Sequence, residues 1–248
     1  MSVLDNLLLR GGTGGGLAVL IDPARTTSSA AAELARRSSD EGVAVLLIGD
    51  SFGSGGDISG LARAIKRAAP TIPLLQFPGT AAQLVPDVDA VLFLSLVSGR
   101  NPQYLIEEHV RAVPFVELNP DVEIISTAYC LVDGGCVTSV ESVSQTRPLP
   151  ADKPELVRAH VRAAMLIGMR TVYLDAGSGA RIPVASGLVH AARAAAPSPS
   201  PLFVGGGVHG ADGVRAARDA GADFVVVGTR FELSGPRAVR ELALAARV

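Results

Sequence analysis

The chain has 248 residues, 48% of them apolar, and a formal net charge of -2. That length can bury one large core and is ordinary for a single barrel of roughly 250 residues, while the near balance of charge excludes the basic excess of a nucleic-acid binder. No stretch reaches the ~20 apolar residues of a spanning helix, "MSVLDNLLLRGG" lacks the pattern of a signal peptide, and Cys130 and Cys136 are too few for a disulfide framework or metal cluster, so a soluble cytoplasmic protein without a nucleic-acid partner is expected.

Along the chain, residues 1–16 read as a loose leader with many glycines. A first apolar run, "LAVLID" (17–22), is followed by "TTSSAAAELARRSSDEG", with Ser and Thr at its start and Gly42 at its end, as a capped helix would have. The runs "VAVLLIG" (43–49) and "PLLQF" (73–77) flank the helical pattern "DISGLARAIKRAA". Next comes "PGTAAQLVPDVD", too short and too proline-flanked for a full helix, which predicts one irregular unit before "AVLFLS" (90–95). "NPQYLIEEHVRAV" reads as helix and "EIISTAYCLV" (123–132) as strand. In "KPELVRAHVRAAMLIGM", Pro154 suits a first turn, Val157, Val161, Ala164 and Met165 recur at helical spacing, and Gly168 closes the segment. The strands "TVYLD" (171–175), "PLFVGG" (201–206) and "FVVVG" (224–228) alternate with the helical patterns "VASGLVHAARAAA", "ADGVRAARDAG" and "GPRAVRELALAARV".

Eight apolar runs without polar alternation, separated by helices, predict parallel strands covered on both faces. An open doubly wound sheet is the alternative, but eight even repeats and no dinucleotide-type turn after the first strand favour closure. The expectation is one domain over 1–248, an α/β modified (β/α)8 TIM barrel with one outer helix missing or irregular.

In such a barrel the site lies where strands end. The first strand ends in Asp22-Pro23, the second in Gly49-Asp50-Ser51, the sixth in "DAGSG", the seventh in "GGG" and the eighth in Gly228-Thr229. Glycine there lets backbone N–H groups approach an anion, and loops after the last strands of these barrels often hold phosphate. The alternative is that the glycines only make tight turns and that Asp22 and Asp175 only cap them.

"LIDP", "FLSLVSGRNPQYLI", "STAYCLVDGG", "YLDAGSGA", "VGGGV" and "VVVGT" resemble the corresponding stretches of geranylgeranylglyceryl phosphate synthases and their bacterial relatives that make heptaprenylglyceryl phosphate. The resemblance runs from about Val19 to Glu232 and rests most specifically on "SGRNP" paired with "YLDAGSGA". It implies a modified eight-stranded barrel that transfers the prenyl group of an allylic diphosphate to the 3-hydroxyl of sn-glycerol 1-phosphate. The product would be an ether lipid precursor, and the assembly a homodimer or larger ring with a possible peripheral membrane contact for product release.

By this resemblance Asp22 and Ser51 would bind Mg²⁺, whose charge offsets that of the departing diphosphate. The acceptor phosphate would rest on Gly177, Ser178 and Gly179, on Gly206 and Gly207, and on Gly228 and Thr229. Tyr173 would hydrogen-bond the acceptor and Asp175 would orient or deprotonate its hydroxyl, with Leu174 and Ala176 beside them. Asn101, Thr127 and Tyr129 match polar positions near the site. Leu92, Leu94, Leu96, Val97, Tyr104 and Leu105 are candidates for the prenyl groove, or for core.

Two departures stand out. The family usually has Glu where this chain has Asp175, a shortening that moves a base by ~1 Å. It also has an acidic residue and Lys after Asp-Pro, where Ala24 and Arg25 stand here; Arg25 keeps the cation and a planar fork for a phosphate or carboxylate. A phosphosugar isomerase or aldolase barrel, a non-catalytic phosphate-binding barrel, and transfer to 3-phosphoglycerate are the rival readings. Lys66 and Lys153, the chain's two lysines, fall in helical segments, which argues against a lysine nucleophile.

Overall fold

The continuous apolar runs form eight parallel strands in the computed structural model, which describes residues 1–12, 16–49 and 56–247. They are β1 (Gly16–Ile21), β2 (Val45–Ile48), β3 (Leu74–Gln76), β4 (Ala90–Leu96), β5 (Glu123–Leu131), β6 (Thr171–Asp175), β7 (Leu202–Gly205) and β8 (Phe224–Val227). Each pairs with the next and β8 pairs with β1, so the sheet is a closed barrel in sequence order. Alternate side chains face opposite ways: Val172 and Leu174 pack under the helices, Tyr173 and Asp175 point inward.

The ring of helices is α2 (Ser28–Asp40), α3 (Ile58–Ala68), α4 (Glu108–Leu118), α6 (Pro154–Leu166), α7 (Ser186–Ala195), α8 (Ala211–Asp219) and α10 (Ala238–Ala245), with short helices α5 (Ser139–Ser144) and α9 (Thr229–Ser234) between strand and ring. Their boundaries follow local chemistry. The Thr27 hydroxyl accepts the Ala30 N–H at 3.3 Å to start α2, and Gly42 leaves it at a φ of +70°. Pro154 opens α6, its buried face is Val157, Val161 and Ala164, and Gly168 at a φ of +96° turns the chain back so that the Met169 N–H reaches the Ala164 carbonyl. The helix expected over 101–113 begins as a wide π turn at Gln103–Glu107 and continues through Pro114 to Leu118.

The loose leader expected over 1–16 is corrected: α1 (Val3–Gly12) is a helix. Leu4 and Leu7 are buried with Ala18, Ala44, Phe203 and Phe224 at the end of the barrel where strands begin, and the Glu123 carboxylate accepts the Val3 and Leu4 N–H groups. The leucines at helical spacing win over the glycine run behind them because the open barrel end offers a surface to bury them.

The expected irregular unit is present after β3. In place of a helix there is one 3-10 turn, Ala81–Gln83, secured by two buried glutamines. The Gln76 amide donates to the Gln83 carbonyl at 2.6 Å and accepts the Val85 N–H at 3.1 Å, while Gln83 accepts the Gly79 N–H at 2.5 Å. Side chains here satisfy backbone groups that a helix would satisfy internally.

Candidate active site at the barrel mouth

At the strand ends of β6, β7 and β8 the three glycine turns converge on one cavity of about 770 Å3, open mouth included. It is lined by Gly177, Ser178, Gly179, Gly206, Gly207, Gly228 and Thr229, together with Asp22, Tyr173 and Asp175. Gly206 and Gly177 leave no room for a side chain. At Gly206, with a φ of +82°, a Cβ would stand 2.7 Å from the Gly177 nitrogen, 2.8 Å from the Ala176 nitrogen and 2.8 Å from Asp175 Oδ1. At Gly177, with a φ of +90°, it would run into the Thr138 side chain at 2.7 Å. The β6 and β7 turns are thus pressed together with backbone facing backbone.

Asp175 is 7% exposed and held at both oxygens: Oδ2 accepts the Tyr129 hydroxyl at 2.6 Å and Oδ1 accepts the Gly177 N–H at 2.9 Å. Burial raises its carboxyl above the usual range, and these two bonds oppose the rise. Burial, and the nearby Asp175 carboxylate, push the Tyr129 and Tyr173 phenols well above theirs, so both remain hydrogen-bond donors. The two rings meet edge to face at 5.7 Å, and Phe77 lies 4.8 Å from Tyr173 and 5.8 Å from Tyr129.

Asp22 lines the cavity opposite, at the end of β1. Its Oδ1 accepts the Ala24 N–H at 2.8 Å, which caps the turn, and its Oδ2 lies 3.6 Å from Arg25 Nε. Arg25 is largely exposed and turned towards Asp22. Ser51 lies outside the described residues. Among the described residues no group of three or more His, Cys, Asp or Glu forms a metal cage. One carboxylate nevertheless fits Mg²⁺, which takes one or two protein carboxylates and completes its shell with phosphate oxygens and water.

Four expected contact residues are absent from the lining of the cavity. Leu174 and Ala176 point into the outer core, because neighbours of inward-facing residues on a strand face outward; Ala176 supplies the turn only with its N–H, 3.0 Å from the Gly205 carbonyl. Asn101 caps the start of the helical segment, accepting the Gln103 N–H at 3.1 Å and donating to the Ser144 carbonyl at 3.0 Å. Thr127 is buried in the sheet, bonded to Thr171 at 2.8 Å. Lys66 pairs with Asp89 and Lys153 occupies the position before α6 without a side-chain cap bond; neither lines the mouth cavity.

A second cavity, about 730 Å3 with its open side included, lies beside the segment that replaces a helix after β3. Its walls are the segment after β3 (Pro78, Gly79, Thr80, Ala81, Leu84), the β4 residues Phe93, Leu94 and Leu96, the helical residues Tyr104, Glu108, His109 and Ala112, and Val140 and Val143 of α5. Of the expected groove residues, Leu94, Leu96 and Tyr104 line it; Leu92 is inside the barrel and Val97 packs with the outer core. His109 stacks on Phe93 at 4.2 Å with Nε2 2.7 Å from the Leu94 carbonyl, and burial lowers its pKa, which favours the neutral ring against this apolar surface. Phe77 lines both cavities, with Tyr129 on one side and Tyr173 on the other.

Sequence reasoning missed Phe77, His209 on the mouth cavity and Glu108 on the groove. Phe77 had a signal in its strand-end position; Glu108 had none, since its partners come from a distant turn.

Comparison with known proteins agrees with this geometry. Residues 17–246 match the PcrB family. The chain is 41% identical over 216 residues to a geranylgeranylglyceryl phosphate synthase of Zunongwangia profunda, covering 87% of this chain and 90% of the relative. It is 38% identical over 217 residues to one of Korarchaeum cryptofilum, covering 87% of each. The crystal structure of (S)-3-O-geranylgeranylglyceryl phosphate synthase from Thermoplasma acidophilum, in complex with its substrate sn-glycerol-1-phosphate, superposes with a TM-score of 0.92 at 27% identity, over 100% of this chain and 99% of that one. With a glycine-lined mouth, an apolar groove beside it and this likeness across nearly its full length, the chain belongs to the PcrB family, alongside these geranylgeranylglyceryl phosphate synthases.

Proposed function

We propose that this protein is a Mg²⁺-dependent prenyltransferase that joins an allylic prenyl diphosphate to the 3-hydroxyl of sn-glycerol 1-phosphate in ether phospholipid biosynthesis. The observation that carries the reading is the meeting of two unlike cavities at Phe77, Tyr129 and Tyr173, with Asp175 at the seam. A phosphate-sized glycine cradle beside an apolar groove suits an acceptor that is a small phosphate and a donor that is a long hydrocarbon.

In this reading the acceptor phosphate takes hydrogen bonds from the backbone of the turns at 177–179, 206–207 and 228–229. Its 3-hydroxyl lies toward Asp175, with Tyr173 beside it. The allylic C–O bond to diphosphate breaks and the bonding pair leaves with the diphosphate. The acceptor oxygen forms the new ether bond, and its proton passes to Asp175. The Tyr129 hydroxyl, donating to Oδ2, fixes the carboxylate so that Oδ1 and its remaining lone pairs face the mouth. Tyrosine and phenylalanine faces around the seam stabilise positive charge on the allylic carbon and keep water from capturing it. When bound, Mg²⁺ would be held by Asp22 and Ser51 and would neutralise charge on the diphosphate.

The same reading puts the enzyme in the cytoplasm as a homo-oligomer with a peripheral membrane contact. It is supported by the exposed apolar side chains Ile106, Val110 and Leu118 on the helical segment that walls the groove. Among the described residues no helix is long and apolar enough to cross a membrane.

The test is transfer from geranylgeranyl, farnesyl and heptaprenyl diphosphates to radiolabelled sn-glycerol 1-phosphate with Mg²⁺. A lipid-extractable labelled product is expected, reduced at least ~100-fold in Asp22→Asn, as loss of a metal carboxylate implies. No product with any donor would sink the reading.

A further inference from the structure

Glu108 is the carboxylate in the wall of a mostly apolar groove, and none of the transfer chemistry uses it. Its side chain is 14% exposed and engaged by three donors. Oε2 accepts the Ala81 N–H at 2.7 Å, and Oε1 accepts from Gln103 Nε2 at 3.1 Å and from Arg111 NH1 at 2.8 Å. Ala81 belongs to the 3-10 turn on one wall; Gln103, Glu108 and Arg111 belong to the helical segment on the other.

We propose that Glu108 is a positioning residue for the prenyl donor: it ties the turn after β3 to α4 and so holds the two walls of the groove at the spacing a hydrocarbon chain fills. The inference rests on the donor assignment made above. The turn needs such a tie. It replaces a whole helix, is three residues long, and its first N–H has no acceptor within so short a turn. Gln76 and Gln83 fix its barrel side, and Glu108 fixes the side facing α4. Because dispersion falls steeply with separation, a wall that drifts by less than 1 Å forfeits much of its contact with the tail. Full occupancy by three donors also keeps the charge turned away from that tail.

The experiment measures binding in the presence of Mg²⁺ of two probes, geranylgeranyl diphosphate and inorganic diphosphate, to the full chain and to Glu108→Ala and Glu108→Gln. Glu108→Ala is expected to weaken the prenyl probe about tenfold, the scale of one charge-assisted bond, and to leave inorganic diphosphate within about twofold. Glu108→Gln keeps an oxygen for the Ala81 N–H and recovers most of the loss. Ala81→Pro is the second variant: it deletes the donor at a first-turn position, after a Thr80 whose extended φ of -149° and ψ of 162° already suit a following proline. It is expected to weaken the prenyl probe alone, and to add little to Glu108→Ala when the two are combined.

Unchanged prenyl affinity in folded Glu108→Ala or in Ala81→Pro would overturn the proposal, as would parallel loss of both probes or a Glu108→Gln as weak as the alanine variant. Failure of the unsubstituted protein to bind the prenyl probe would overturn the donor assignment itself, and this inference with it.

Discussion

The mouth cavity and the apolar groove share Phe77, yet they are made from different parts of the chain. The mouth is built by backbone: three turns at the ends of β6, β7 and β8, the first two with glycines at positive φ and pressed against each other. The groove is built by side chains filling the place of an absent helix, its wall secured by Gln76, Gln83 and Glu108. A backbone-built site tolerates little change in shape where an added atom meets another main chain, as at Gly206 and Gly207, whereas a side-chain-built site can be resized one residue at a time. The first arrangement suits a ligand of fixed size such as phosphate, and the second a hydrocarbon of variable length.

The difference is sharpest at Gly206. In Gly206→Ala the new methyl meets two backbone nitrogens and Asp175 Oδ1, at a φ that L side chains rarely adopt. The β6 and β7 turns must then separate, which displaces both the phosphate cradle and the base. Transfer is expected to fall by about 100-fold, the scale of a ~1 Å misplacement, through a lower kcat as well as a higher KM for the glycerol phosphate. A variant that keeps full activity would show that the glycines serve only to turn the chain.

Tyr129 belongs to both regions and sharpens the comparison at the seam. Asp175 acts as a base only when ionised, so activity is lost as pH falls through its pKa. Burial places that pKa above the usual carboxylate range, and the Tyr129 hydroxyl pulls it back down. Tyr129→Phe removes the opposing bond, leaves burial unopposed on that oxygen, and moves the acid limb of the kcat/KM profile to higher pH. At neutral pH a loss of about tenfold is expected from one missing hydrogen bond to a charged group. Stability runs the opposite way to activity: the folded state retains a proton the unfolded chain has released, so stability falls as pH rises from the ordinary carboxylate range to the folded pKa. A limb that stays in place or moves to lower pH would remove Tyr129 from the proton network.

What the sequence revealed follows the same division. Eight continuous apolar runs and the glycine spacings at 177–179, 205–207 and 228 are local features, and they were enough to find the barrel and its mouth. The helix α1 was hidden because its leucines acquire a reason to fold only when the barrel end is present to cover. Leu174 and Ala176 were grouped with Asp175 by adjacency in a motif, although the pleat sends them to the opposite face. Asn101 looked like a site residue from its motif and is a cap, a role that depends on where Ser144 lies. Glu108 and Gln76 gave no signal, since a side chain that bonds a distant backbone leaves no periodicity behind.

Leu92 and Leu94 give the smallest and finest test, since two residues of one strand fall on different sides of this comparison. Leu92 is fully buried in the barrel interior, while Leu94 is half-buried and faces the groove. Leu92→Ala leaves a cavity that the closed barrel cannot collapse around, so about 2–5 kcal/mol of stability is lost with little change in KM for either substrate. Leu94→Ala removes less buried apolar surface from the fold, so its thermal midpoint moves less. It also takes contact away from the prenyl tail, at about 1 kcal/mol, or roughly fivefold in KM for a geranylgeranyl donor. That penalty shrinks for a farnesyl donor if the shorter tail does not reach Leu94, and persists if the residue sits near the allylic end. Equal effects of the two substitutions on stability and on KM would mean that the groove is only an extension of the core, and the division between a backbone-built mouth and a side-chain-built groove would no longer hold.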